Sequence, residues 1–188
     1  MSNPLHASYY ADTAVQAQVA VVENVCIAHN TYRLRFRCPA MARQIVPGQF
    51  LMLRLAECND PLIGRPLAVY DVVVGDDGAP SDLDVVYLVK GKLTTRLEHV
   101  TAGELLDVWG PLGNGFDTPD CEHLVMVAGG IGQTPFLTLA KQYLGLQSFG
   151  DPPRPTPKAN QVTFCYGAQT EKLLAGVEDF EKAGVTVE

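Results

Sequence analysis

Residues 127–135 read VAGGIGQTP. Gly129, Gly130 and Gly132 follow an apolar run and precede Thr134 and Pro135, which suit a helix N-cap and a first helical position. Without a Cβ, backbone can come close to a ligand. A helix that starts there aims free N–H groups and the positive end of its dipole at the same space. Such a turn suits anion binding, and a pyrophosphate is the natural occupant. A glycine turn can also serve only to seat a helix on a strand, but the order strand, turn, capped helix favours a ligand. The ordinary dinucleotide fingerprint is not met. It would need Gly or Ala at Pro135, and an acidic residue where Tyr166, Gly167, Ala168 and Gln169 stand, so a generic dehydrogenase is disfavoured.

A second constellation lies upstream. GRPLAVYD (64–71) sets Arg65, whose planar fork suits phosphate oxygens, beside Pro66 at the entry to a strand. VKGKLTTRL (89–97) offers Gly91, Thr94, Thr95 and a helix start, a second phosphate cradle. Each is an ordinary loop-to-element junction when taken alone; their order carries the weight.

The elements that must position these residues change character along the chain. In 32–38, YRLRFRC, apolar residues alternate with Arg33, Arg35 and Arg37, which marks a strand with one arginine face. Further strands are expected at 17–28, 49–55, 67–74, 83–90 and 105–109, with turns at PG, GDDG and GPLGNG. Residues 15–117 therefore read as an antiparallel barrel or sandwich.

After about residue 120, HLVMVA reads as a parallel strand covered on both faces. Phe136, Leu139, Ala140, Tyr143 and Leu144 mark one face of a helix. DPPRPTPKAN reads as an extended connector, and VTFCY (162–166) as a second strand. EKLLAGVEDFEKAG reads as one helix, with Leu173, Val177 and Phe180 inward and Gly184 past its end; a last strand begins at VTV. Residues 121–188 thus form a doubly wound parallel α/β unit. It is incomplete, since nucleotide-binding units of this kind usually run to about 100 residues or more, and we expect the natural chain to continue.

Composition narrows the function. The chain of 188 residues is 47% hydrophobic and 19% charged, with 14 basic and 21 acidic residues and a net charge of −7. With no basic run, a nucleic-acid or anionic-membrane surface is disfavoured. No apolar stretch approaches a membrane span and the polar start is not a signal peptide, so a cytoplasmic location is expected. The five cysteines, Cys26, Cys38, Cys58, Cys121 and Cys165, are too widely spaced for a CxxC metal motif. Three lie in apolar or strand-like runs and read as buried reduced thiols. Cys165 is taken as a core thiol rather than as a group flanking a reacting ring.

PGQF, Arg-Pro-x-x, GxxT, GPLGNGF and GGIGxTP, in this order over residues 15–188, resemble the ferredoxin-reductase-like flavoprotein family. Within it, the sequence is most similar to the electron-transfer subunits of NAD-dependent dihydroorotate dehydrogenases, which serve pyrimidine biosynthesis. The resemblance implies an N-terminal FAD-binding β-barrel (15–117) and a C-terminal NAD(H)-binding α/β domain (121–188). It implies flavin contacts at Arg65, Pro66, Leu67 and Ala68, and at Val86, Tyr87, Leu88, Gly91, Leu93 and Thr94. Gly129, Gly130, Gly132 and Thr134 would form the nicotinamide-nucleotide loop. A 2Fe-2S cluster and a partner subunit carrying FMN and the dihydroorotate site are also implied.

Three departures stand out. Ala68 replaces a hydroxyl residue, Leu93 replaces a second glycine, and none of the five cysteines matches the cluster ligands. The cofactors carry the chemistry, so no catalytic side-chain acid or base is named. The sparse basic residues of 167–172, Lys172 alone, lean toward NAD over NADP. Two alternatives stay open: a stand-alone NAD(P)H–flavin or ferredoxin reductase, and a flavin-free interaction module on the same fold.

Overall fold

The computed structural model describes residues 14–188; the polar start, residues 1–13, lies outside them. Six antiparallel strands close into a barrel. They are β1 (Val15–Ala28), β2 (Thr31–Arg37), β3 (Phe50–Leu55), β4 (Arg65–Val74), β5 (Pro80–Leu88) and β6 (Leu105–Leu112), in the spatial order β1-β2-β5-β4-β3-β6. The expected alternation of β2 holds. Leu34 and Phe36 are fully buried inside, while Arg33, Arg35 and Arg37 pair outside with Asp84 and Asp82. Leu51, Leu53, Leu83, Val85, Leu106 and Val108 complete the lining at 0% exposure, each such side chain contributing roughly 1.5–3 kcal/mol.

Two short helices close the barrel. α1 (Pro39–Gln44), which the sequence pattern does not announce, inserts Met41 and Ala42 into the core. α2 (Lys92–Leu97) lies past the far end of β5 and inserts Leu97. Asn24 ties down its end, the amide nitrogen donating to the last helical carbonyl, Leu97 O, at 2.8 Å and to Val100 O just beyond the helix at 3.1 Å.

The second unit is a parallel sheet, β7 (His123–Gly129), β8 (Gln161–Gly167) and β9 (Thr186–Val187), in that order. Helices α3 (Phe136–Tyr143) and α4 (Val177–Lys182) pack on one face, where Met126, Ala140, Phe164 and Phe180 form a second core.

Three expectations need correction here. The sheet is not covered on both faces: both crossover helices lie on the same side, and Val125 and Val127 of β7 stay 51% and 71% exposed on the other. Thr134 is not a helix N-cap. The glycine loop first makes a 3-10 turn over Gly130–Gln133, closed by Thr134 N–H donating to Ile131 O, so α3 starts only after Pro135. The helix expected over 171–184 is broken by Gly176, which leaves a single turn at Glu171–Leu173 and a short α4; Phe180 is fully buried, Leu173 and Val177 only partly. The segment after α3 leans on the barrel. Phe149 enters the barrel core, and Arg154 donates to Phe116 O at 3.0 Å and Asn114 O at 2.8 Å.

Candidate functional site

The glycine loop and the barrel face each other across a cavity of about 670 Å³, a volume typical of small-molecule sites. Leu88 and Lys90 line it from the end of β5; Gly129 and Gly130 line it from the loop after β7. Gly167, Ala168, Gln169 and Leu173 supply the third wall beyond β8. A Cβ built on Gly129, Gly130, Gly132 or Gly167 meets no atom within 4 Å. These glycines therefore do not serve close packing; they leave open space along the backbone. Gly130 also needs its glycine for conformation, with φ at +53°.

The barrel wall opens beside the cavity because two neighbouring strands part. Residues 65–68 of β4 pair with β3, and pairing with β5 begins only at Val69 opposite Val85. Beyond Val85, β5 continues as the partner of β2 alone, through Val86, Tyr87 and Leu88. Between the parted ends, backbone N–H and C=O groups of both strands are left for another partner.

Each sequence-assigned residue has a definite place. Arg65 and Pro66 are exposed at the start of β4, and Arg65 makes no ion pair or side-chain hydrogen bond among the described residues. Leu67 and Ala68 are half-buried on the same strand. Val86 is buried against the α/β unit, whereas Tyr87 turns into the barrel and stacks on Tyr32 at 5.7 Å. Burial also pushes the Tyr87 phenol up, to above the usual tyrosine range. Gly91 is open and Leu93 buried. The Thr94 hydroxyl is engaged by the chain itself, accepting from the backbone N–H groups of Lys90 and Gly91 at 3.0 Å each. Gly132 borders open space, and Thr134 is buried.

The structure thus gathers Leu88, Gly129 and Gly130 at one cavity, with Arg65–Ala68 on the parted strand. Lys90, Gly167, Ala168, Gln169 and Leu173 were not assigned to it from sequence. The signal for the far wall lies in the register: Gly129 of β7 stands opposite Gly167 of β8, at the carboxyl ends where open α/β sheets bind ligands.

The cysteines do not make a cluster site. Only Cys38 is buried, which corrects the reading of three buried thiols, and all five are free. Among the described residues no group of three or more His, Cys, Asp or Glu could hold a metal ion, so the residues present do not fit a 2Fe-2S cluster. Cys165 lies beside Val127 in the parallel ladder, half-buried and outside the second core. Among the described residues no helix is long and apolar enough to cross a membrane.

A closed six-stranded barrel joined to a parallel α/β unit across a glycine-lined cleft is the architecture of a two-domain reductase. The chain belongs to the oxidoreductase FAD-binding domain family, whose model matches residues 18–116. It is 36% identical over 149 residues to the electron transfer subunit of dihydroorotate dehydrogenase B (NAD(+)) from Desulforamulus reducens, covering 79% of this chain and 51% of that protein. It is 31% identical over 172 residues to the same subunit from Bacillus caldolyticus, covering 90% of this chain and 61% of the relative. The chain therefore spans only about half to three fifths of the length of these curated relatives. Among solved structures, an NADH-dependent reduced ferredoxin-NADP oxidoreductase superposes with a TM-score of 0.73 at 25% identity, over 92% of this chain and 58% of that one.

Proposed function

We propose that the chain is the flavin- and nucleotide-binding part of an electron-transfer subunit, passing electrons between NAD(H) and a partner dihydroorotate dehydrogenase through FAD. The observation that carries this is that β5, from which β4 parts beyond Val85, runs on to Leu88 and Lys90 at the cavity lined by Gly129 and Gly130. A nucleotide suits the cavity of about 670 Å³, and a flavin suits the parted backbone edges of β4 and β5.

Arg65 offers an unpaired planar fork to a phosphate at one end of the parted strand. Leu67 and Ala68, with Val86 and Leu88 across the gap, present backbone groups to a flat polar ring. Recognition through the backbone makes the missing hydroxyl at Ala68 tolerable. Lys90 places a positive charge at the cavity rim, where a second phosphate would be neutralised. Gly129, Gly130 and Gly167 admit the nucleotide, and Leu88, Ala168 and Leu173 make an apolar wall that sheds water from it. Bound FAD supplies the exchange between a two-electron hydride and single electrons, and the chain supplies position and electrostatics. The partner is inferred from the relatives, which are electron transfer subunits of dihydroorotate dehydrogenase B.

The test is a visible absorption spectrum of the purified chain, supplemented with FAD, before and after anaerobic NADH. A flavin spectrum that bleaches is expected. A protein that takes up no flavin would overturn the redox reading and leave an interaction module. Bleaching without any association with a dihydroorotate dehydrogenase subunit would select the stand-alone reductase.

A further inference from the structure

The strand assigned to the flavin also grips both helices of the nucleotide unit. Along β4, pairing with β5 steps from Val69 opposite Val85 to Asp71 opposite Asp84, so one extra residue, Tyr70, is inserted against a single step of its partner. That is a β-bulge, and bulges re-aim side chains. Alternation is broken accordingly. Val69 and Val72 both point into the barrel core, while the two residues between them turn outward together.

Each outward side chain takes hold of a different helix. The Tyr70 hydroxyl donates to Asp179 Oδ2 of α4 at 2.7 Å. Lys141 Nζ of α3 donates to the two Asp71 oxygens at 2.7 and 2.6 Å. The Tyr70 ring is 1% exposed and sits edge-on to Phe180. Gly176 belongs to the same arrangement, because a Cβ there would collide with the Tyr70 hydroxyl. Behind the bulge, Asp84 is held by Arg35 Nε at 2.7 Å and Nη2 at 2.8 Å. Arg33 lies between Asp84 and Asp179, at 3.8 Å from each.

We propose that this bulge is a two-point clamp that sets the glycine loop at a fixed distance and angle from the flavin strand. Tyr70, Asp71, Lys141 and Asp179 are then positioning residues for electron transfer between nucleotide and flavin. The proposal rests on the function proposed above for its purpose, though not for its geometry. Asp71 lies three residues beyond Ala68 on one continuous strand, and Lys141 is on the helix that issues from the glycine loop. An ångström of slack between the two halves is transmitted to reacting atoms, where such a displacement can cost on the order of a hundredfold in rate.

The experiment compares the FAD-supplemented wild-type chain with Y70F/K141M and with K141R. Residual dipolar couplings of backbone amides report the orientation of barrel and α/β unit, with or without cofactor. Stopped-flow absorbance reports the limiting rate of flavin reduction at saturating NADH. Wild type and K141R are expected to fit one alignment tensor. Y70F/K141M is expected to need two, with a limiting rate at least about tenfold lower and a half-saturating NADH concentration that moves less. A single tensor in Y70F/K141M, or an unchanged limiting rate with flavin bound, overturns the clamp. If that variant does not fold, D71N and Y70F are read singly by the same two criteria. A wild-type chain that NADH does not bleach sinks the proposed function instead, and the tensors still decide the clamp.

Discussion

Gly129 and Gly167 stand opposite each other at the carboxyl ends of two adjacent parallel strands, and the space beyond both is open. At Gly129 the backbone is extended, with φ −112° and ψ 127°, so a larger residue fits the chain without strain. Gly129→Val should therefore act on the ligand and spare the fold. A rise of about tenfold in half-saturating NADH, worth ~1.4 kcal/mol, is expected, with the melting temperature little changed. A variant that melts early and binds normally would show that the glycine serves packing.

Arg65 supplies a contrasting case, because its side chain is exposed and partnerless among the described residues. Arg65→Gln should leave the flavin-free protein as stable as wild type. A hydrogen bond to a charged group contributes about 1.5–3 kcal/mol, so FAD should bind at least about tenfold more weakly in a fluorescence titration. Equal affinities would remove Arg65 from the site.

The Thr94 hydroxyl has partners within the chain. It accepts the N–H groups of Lys90 and Gly91 where α2 begins, and α2 closes the barrel with Leu97. Thr94→Val should cost about 1 kcal/mol in urea unfolding, the usual worth of a helix-start hydrogen bond. No loss would mean that the turn is held by packing alone.

Burial lifts the Asp71 carboxyl above the ordinary aspartate range against the pull of Lys141. A carboxyl raised on folding binds more protons folded than unfolded. Its contribution is complete below the unfolded value of about 3.9 and is lost as pH rises through the folded value. Urea melts across that range should show the stability difference between wild type and Asp71→Asn shrinking as pH rises. A difference that stays flat would mean that Asp71 titrates alike in the folded and the unfolded chain.

What could be read from the sequence was whatever leaves a period. The arginine face of β2 was legible because seven residues alternate, and the β7–loop–α3 order because glycines interrupt an apolar run. α1 was not legible, since six residues make less than two turns and show no repeat. The far wall of the cavity went unassigned because Gly167, Ala168 and Gln169 were weighed only for a missing acid. Leu173 was placed inward by a helical period that Gly176 breaks. The clamp had a trace in plain view: Val69-Tyr70-Asp71-Val72 violates strand alternation by one residue. Only the pairing with β5 shows that the violation is a bulge, and what its two side chains reach.

Phe149 lies in the barrel core although it follows α3 in sequence, and Arg154 fastens the same stretch to the barrel rim. The flavin half is consequently not a contiguous passage of the gene. An excision at residue 120 would hand over a barrel with an unfilled plug hole, and a graft of a foreign nucleotide unit there would have to bring its own stopper. An exchange of the α/β unit would therefore have to leave residues 149–154 with the barrel.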